Sequence, residues 1–545
     1  MHTIRQTSRA TLSLQSLPLQ SLSLPSLSLQ SVARLYCTGF LSVSLLVSLS
    51  LSLFFGSAAQ AQGVPESIAL FEENCAVCHG ENLQGAAQGT PLLGQLRHGE
   101  TMAEIVASIS NGYLESGMPA WRDSLNESQI RNVALYVLET RANINYQNFN
   151  HKEPLIIPAG IIESEQHKFR LETIATGIDA LPFSIASLPD GRMLVTEKKY
   201  GVRIIESTGE ISDYIKGTPT AYSDITTVTL NGLGNERGWG WLFDIAVHPD
   251  YANNGWVYLL HGDRCENCNK VSRESGSVVS MNKLVRGRIR DGAWVDQETV
   301  WAADIEHYGT MIDVIAGGRI AFDNRGHVYF SVGAKGPNEF EGVQDLATPW
   351  GKIHRVNYDG SIPDDNPFVG REGVYRSIYT LGHRSPQGLE FDNLTGELWG
   401  TEHGQRGGDE INHLIAARNY GWPLYSLGMS YDGTPVDYGE NLGIAFELAD
   451  IQQPIVDLTP SPAVSSFVIA DSKQFPRWRG NFLVGSLKAR SLYRVEIQNN
   501  RYVHRETLLE GLARIRDIEQ SANGDIYLLL EHAEGGKILR LVPVD

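Results

Sequence analysis

One phrase recurs along the last two thirds of this chain: an Asp, Asn or Gly turn followed by a strand of aromatic and β-branched residues. It reads LPDGRMLVTE at 188–197, HPDYANNGWVYLL at 248–260 and FDNRGHVYFSVG at 322–333. FDNLTGELWGTE follows at 391–402 and SANGDIYLLLE at 521–531, with a looser sixth copy, WRGNFLVGSLKARSLYRV, at 478–495. Hairpins repeated in one form, with no helical spacers, point to a β-propeller, in which each blade buries its faces only against its neighbours. A sandwich also alternates, but it does not repeat a blade-like phrase six times. Six blades over residues 165–545 take about 63 residues each, above the usual repeat length, so long loops must rise from one face.

The region ahead of the repeats is of another kind. With 545 residues, 42% of them hydrophobic and 20% charged, the chain has ordinary globular composition and room for a second domain. A formal net charge of -18 argues against nucleic acid, which needs clustered Lys and Arg, and suits a basic redox partner. Residues 11–30 form an uncharged Ser/Leu/Gln repeat, and Arg34 precedes an apolar run from Phe40 to Phe55. Ala59-Gln60-Ala61 then has the small-x-small form cut by signal peptidase. Residues 1–61 therefore read as a signal peptide with a low-complexity leader, cleaved after Ala61. The mature protein is expected in the periplasm, without a stable membrane span; the alternative is an uncleaved anchor.

Cys75-Ala76-Val77-Cys78-His79 is the c-type haem attachment motif. Thiols one helical turn apart can both form thioethers to the haem vinyls, and His79 then meets the iron from the same side. Met118, in ESGMPAW, is the expected sixth ligand, because Pro119 cannot continue a helix and leaves an extended loop to cross the haem face. Its rival Met102 sits in TMAEIVASI, whose spacing makes it a core position. Helices are expected over 67–75, over 101–111 and from Asn126, the last with Ile130, Val133, Ala134 and Val137 on one stripe. Residues 62–145 resemble a small class I cytochrome c domain, all-α, with a covalent haem c. Such a six-coordinate iron moves electrons and disfavours peroxidase chemistry. Residues 146–164 read as a linker with two prolines. Cys265 and Cys268 lack a following His and a second cysteine pair, so they read as a local disulfide of an exported protein.

Several phrases in the large domain are more specific: GKIHRVNYDGSIPDDNPF (351–368), YTLGHRSPQGLEF (379–391), TEHGQRGGDEINHL (401–414), NYGWP (419–423), VGSLKARSLYRV (484–495) and ARIRDI (513–518). Together they resemble the soluble PQQ-dependent glucose/aldose sugar dehydrogenase family. The resemblance implies pyrroloquinoline quinone (PQQ), a tricarboxylate dione, in a cationic pocket at the propeller axis. Arg384, Ser385, Lys488, Arg514 and Arg516 stand at its pocket positions. The two last residues alternate along a strand and share a face, and guanidinium groups pair carboxylates in bidentate fashion. The resemblance also implies Ca2+ on the carbonyls of Gly404 and Gln405, and a structural Ca2+ on Glu410, the Tyr420 carbonyl and Asp432, oxygen ligands suited to a hard cation. Asp409 and Glu410 read equally well as loop charges.

The chain departs from that family at its proton acceptor. Ile315, in DVIAGGRIAF, stands where the family's catalytic histidine belongs, and Ala334, in SVGAKG, where its orienting aspartate belongs. Asp313, expected on the same strand face as Ile315, and His307 are the candidate replacements beside Arg384. The expected whole is a quinohaemoprotein dehydrogenase of six-bladed propeller and fused cytochrome c, oxidising a sugar or other alcohol. Its haem c would pass electrons to a downstream cytochrome or terminal oxidase. The alternative is a non-catalytic haem-and-propeller binding module.

Overall fold

A computed structural model describes residues 66–87, 89–147, 154–224, 226–230, 233–323 and 325–544. The expected leader and its expected cleavage site lie outside the described residues, as do 148–153 of the expected linker. Among the described residues no helix is long and apolar enough to cross a membrane.

The first domain is helical: α1 (Glu66–Asn74), α2 (Ala76–His79), α3 (Met102–Asn111) and α4 (Glu127–Gln147). Capping boxes start the two longer helices. Glu104 Oε2 accepts from the Thr101 amide at 2.9 Å, and Asn126 Oδ1 accepts from the Gln129 amide at 2.9 Å, which satisfies otherwise orphaned N–H groups. Phe71, Leu83, Ile105, Ile109, Ile130, Val133 and Val137 form its core. The expected stripe of α4 faces that core, yet every residue from Asn132 to Glu139 is buried. An isolated domain would leave one face of this helix wet. Here the other face lies on the propeller: Arg131 Nη2 donates to the Leu427 carbonyl at 2.7 Å, and the Ser461 amide donates to Glu139 at 2.7 Å.

The second domain is a ring of six antiparallel sheets. Their inner strands are Pro182–Ser187, Leu242–Val247, Gly317–Phe322, Pro386–Asp392, Val464–Ile469 and Arg514–Gln520. Each packs on the next, and the last packs on the first. The six repeated phrases deliver the second strands: Met193–Glu197, Val257–Cys265, His327–Val332, Glu397–Glu402, Phe482–Ser486 and Ile526–Glu531. Strand Lys168–Ile178 closes the ring by pairing with Gly536–Val544, from Lys168 opposite Val544 to Ile178 opposite Gly536. The short strand Ile162–Glu163, within the expected linker, pairs with Lys168–Ile178 at the edge of this sixth blade.

All six inner strands slip register against their second strands. A bulge frees amides, and buried amides need acceptors. Neighbouring blades supply them: Asp517 accepts from the Ile185 amide, and Asp244 from the Ile320 amide, each at 2.8 Å. Arg319 then joins three blades through Asp517 (2.8 Å), the Gln387 carbonyl (2.7 Å) and the Arg516 carbonyl (3.1 Å). The axis is thus held by polar bonds rather than by an apolar plug. Cys265 and Cys268 form the local disulfide, with Cα atoms 6.0 Å apart.

Candidate functional site

In an up-and-down sheet the start of the first strand and the end of the second lie at the same end. Arg384 and Arg514 stand at or just before inner-strand starts, while Gly404, Lys488 and Glu531 stand at or just beyond second-strand ends. These residues, scattered from 384 to 531, therefore share one end of the ring.

Side-chain contacts join them. Arg514 and Arg516 each donate through Nε to a different oxygen of Glu531 at 2.6 Å, and Lys198 Nζ lies 3.1 Å from the same carboxylate. Ile515 between them is buried in the core. Arg516 Nη1 reaches Gln387 Oε1 at 3.4 Å, and Gln387 Nε2 donates to Ser385 Oγ at 2.9 Å. Next to Ser385, Arg384 donates Nη1 to the Gly404 carbonyl at 3.0 Å and Nε to Glu339 Oε2 at 2.9 Å. The Glu402 carboxylate accepts from the backbone amides of Arg384 and Ser385 and from His383, which fixes the pocket arginine from below. Trp422 and Tyr431 flank the guanidinium, with ring centroids 5.3 and 5.8 Å away. Lys488 Nζ lies 3.5 Å from Glu139 of the helical domain.

The electrostatics follow from crowding cations in a dry place. Burial works against the Glu531 carboxylate, but Arg516, Lys198 and Arg514 hold it well below its usual range. Burial, then the Arg516 charge, pushes Lys198 down to about 7. Burial with Arg384 and Arg516 nearby pushes His403 down to about 3, so its ring is neutral. Five basic side chains (Lys198, Arg384, Lys488, Arg514, Arg516) gather at this end, each beside a carboxylate: Glu531, Glu339 with Glu402, Glu139 with Asp409. Two buried polar atoms at this end, Trp241 Nε1 beside Lys198 and Gln405 Oε1, have no hydrogen-bond partner. A polyanionic ligand fits that donor set.

The proposed proton acceptors behave differently from expectation. Asp313 lies in a 3-10 turn, Asp313–Ile315, not on a strand face. Its carboxylate accepts from the amides of Gly240 (2.7 Å) and Trp241 (2.9 Å) and from Ser280 Oγ (3.0 Å), and it pairs with the fully buried Lys335. All four of these partners come from the protein, so both carboxylate oxygens are engaged. His307 shares a hydrogen bond with the Tyr375 hydroxyl at 2.7 Å and packs on Trp350, away from the contacts of Arg384 with Glu339, Gly404 and Tyr431. Ile315 and Ala334 belong to one apolar cluster with Val343, Trp422 and Val436. Both departures thus fall in that one cluster. The carboxylate that does meet Arg384 is Glu339, which also accepts from Gln405 Nε2 at 3.0 Å. Sequence reading passed over it because NEFEG carries no periodic or motif signal.

Glu410 is hydrogen-bonded by Asn412 at 3.1 Å, and burial raises its carboxyl well above the usual range. Tyr420 stacks on His383, while Asp432 is exposed and accepts from Thr434. Among the described residues no three His, Cys, Asp or Glu side chains gather as a metal cluster. Any Ca2+ here would rest on carbonyl oxygens, those of Gly404 and Gln405, more than on carboxylates.

In the helical domain Cys75 and Cys78 are unpaired thiols on one turn. His79 Nδ1 lies 2.8 Å from the Thr90 carbonyl, which orients the ring and leaves Nε2 for a metal. Met118 pairs through its backbone with Tyr113 after the 3-10 turn Leu114–Ser116, and both Met118 and Met102 pack partly buried on the domain core.

Residues 179–540 match the family model described as Glucose / Sorbosone dehydrogenase, and residues 65–137 match Cytochrome C oxidase, cbb3-type, subunit III. The chain is 27% identical over 394 residues to Aldose sugar dehydrogenase YliI of Escherichia coli (strain K12), covering 72% of this chain and 97% of that one. To Quinoprotein glucose dehydrogenase B of Acinetobacter calcoaceticus it is 26% identical over 363 residues, covering 63% and 68%. The crystal structure of soluble aldose sugar dehydrogenase from Escherichia coli in its apo-form matches with a TM-score of 0.58 at 28% identity, over 69% of this chain and all of that one. The matched propeller span contains the whole Arg384–Arg516 network, and the matched cytochrome span contains the haem motif. The chain belongs to the glucose/sorbosone dehydrogenase family and carries a cbb3-type cytochrome c domain ahead of its propeller.

Proposed function

We propose that this protein is a periplasmic PQQ-dependent dehydrogenase that oxidises a sugar or other alcohol and passes the electrons to its own haem c. The observation that carries the reading is the network, buried at its centre, from Arg514 through Glu531, Arg516, Gln387 and Ser385 to Arg384 and the Gly404 carbonyl. When bound, PQQ would supply a two-electron acceptor. The chain's own residues do the rest. Lys198, Lys488, Arg514 and Arg516 hold carboxylates, and Arg384 orients the carbonyl edge of the ligand. Gly404 and Gln405 offer carbonyl oxygens to Ca2+, with Glu410, Tyr420 and Asp432 as the weaker second set.

Glu339, which is partly open to solvent, would accept the substrate hydroxyl proton once the Gln405 donor on its Oε1 gives way. It replaces both Asp313 and His307 in that role. In the helical domain Cys75 and Cys78 anchor the haem, and His79 and Met118 ligate its iron. Fusion raises the effective concentration of the electron acceptor. A downstream cytochrome or terminal oxidase takes the electrons onward.

Purified protein reconstituted with Ca2+ and PQQ tests this. On mixing with a panel of aldoses and alcohols, the reduced haem band should appear with at least one of them and only when PQQ is present. No PQQ-dependent haem reduction with any substrate would overturn the reading. A second reading, a binding module without turnover, draws support from the apolar Ile315–Ala334 patch. It predicts PQQ binding with a silent haem.

A further inference from the structure

Three residues of α4 at successive i, i+4 spacing contact the propeller, Leu135 while also packing in the helical domain's core. Arg131 binds the Leu427 carbonyl at 2.7 Å, and Leu135 lies against Gly407, where an added Cβ would come within 2.9 Å of its Cδ1. Gly407 takes a positive φ of 82°, and the loop it shapes comes this close only because it lacks a side chain. Glu139 follows: its Oε1 accepts from the Ser461 amide, its side chain is 1% exposed, and its Oε2 accepts no hydrogen bond yet lies 3.5 Å from Lys488 Nζ. Thr140, Ser67 and Met429 extend the contact, with Ser67 Oγ donating to the Gly433 carbonyl at 2.8 Å.

A carboxylate buried to this degree is costly unless a cation stays beside it. Burial accordingly raises the carboxyl of Glu139. Its partner Lys488 stands just beyond the end of second strand Phe482–Ser486, at the same end of the ring as Arg384 and Gly404. One lysine therefore serves two masters.

We propose that Glu139 is a docking residue that holds the haem domain on the cofactor-side loops through Lys488, so that a polycarboxylate entering the pocket competes with haem-domain docking for that lysine. The pocket half of this inference rests on the functional reading above; the docking half does not. Coupling of this kind is reciprocal: whatever factor docking takes from the ligand's affinity, the ligand takes from docking.

Full-length haem-loaded protein and its Glu139→Gln variant separate the possibilities. Gln keeps an acceptor for the Ser461 amide but drops the charge that holds Lys488. Amide hydrogen exchange without ligand should be faster across 131–140 and 404–408 in the variant. PQQ titrated by fluorescence quenching should bind the variant more tightly, by roughly fivefold or more, the low end of typical site–site coupling. Adding PQQ to the unmodified protein should speed exchange in the same two segments. Unchanged exchange in the variant overturns the docking role. Unchanged PQQ affinity with faster exchange overturns the competition. Failure of both proteins to bind PQQ sinks the functional reading and with it the competition, while the ligand-free exchange still decides the docking contact.

Discussion

Asp313 and Glu339 are both carboxylates near the pocket end, and their neighbours assign them different work. Asp313 has three hydrogen-bond donors and a buried ammonium on it, all from the protein. Removing its charge leaves Lys335 buried and unpaired. Asp313→Asn should therefore cost about 3–5 kcal/mol of stability, read by denaturant unfolding, while the folded fraction keeps its turnover. Loss of turnover at unchanged stability would return Asp313 to the chemistry. Glu339 is partly open, with 17% of its side chain exposed, and its partners Arg384 and Gln405 are pocket groups. Glu339→Gln should lower kcat for haem reduction by about 10²–10⁴-fold, the usual worth of a general base. A kcat within a few-fold of the parent removes Glu339 from the proton step.

At the scale of elements, the closing strand of the ring is the test case. Phe169 on Lys168–Ile178 is fully buried against Phe475 and Trp478 of the fifth blade. Phe169→Ala should cost about 3–5 kcal/mol, measured by urea unfolding, because it opens a cavity where the two ends of the domain meet. A cost below about 1 kcal/mol would mean that the ring does not depend on this closure. The contrast with the other strands shows what was legible in the sequence. Second strands such as His327–Val332 announce themselves by the turn before them. Lys168–Ile178 has no such turn, and its partner lies at the far end of the chain, so local pattern carries nothing about it. The same holds for α4: Ile130, Val133 and Val137 read as a core stripe, but Leu135 and Glu139 acquire meaning only from loops near 407 and 461. In the site, Arg384, Arg514 and Arg516 stood out by motif. Their counter-charges Glu339 and Glu531 did not: Glu339 meets Arg384 across blades, and Glu531 stands opposite Arg514 on the next strand of the same blade, a pairing that local spacing does not mark.

For the whole molecule the question is how an anion pocket built from a closed ring responds to pH. Most of its cations are arginines, which stay charged, so the proton-sensitive member is Lys198, pushed down to about 7 from an ordinary 10.5 by burial and Arg516. At about pH 8 the free protein therefore holds Lys198 mostly neutral. A carboxylate brought beside it favours the ammonium form and raises its pKa in the complex. The sign follows: the protonated form binds the anion better, so affinity is full below about pH 7 and declines as pH rises through and above that value, until the bound-state pKa is passed. Binding at about pH 8 must then take up protons, a fraction approaching one per site. Calorimetric titration of PQQ in buffers of different ionisation enthalpy reads that uptake directly, and Lys198→Met should abolish it while Arg514, Arg516 and Glu531 keep their pairing. Proton uptake that persists in the variant would assign the effect to another group. Its absence in the parent protein would mean that the ligand's carboxylates do not reach Lys198, and that the cluster around Glu531 braces the sixth blade instead of holding an anion.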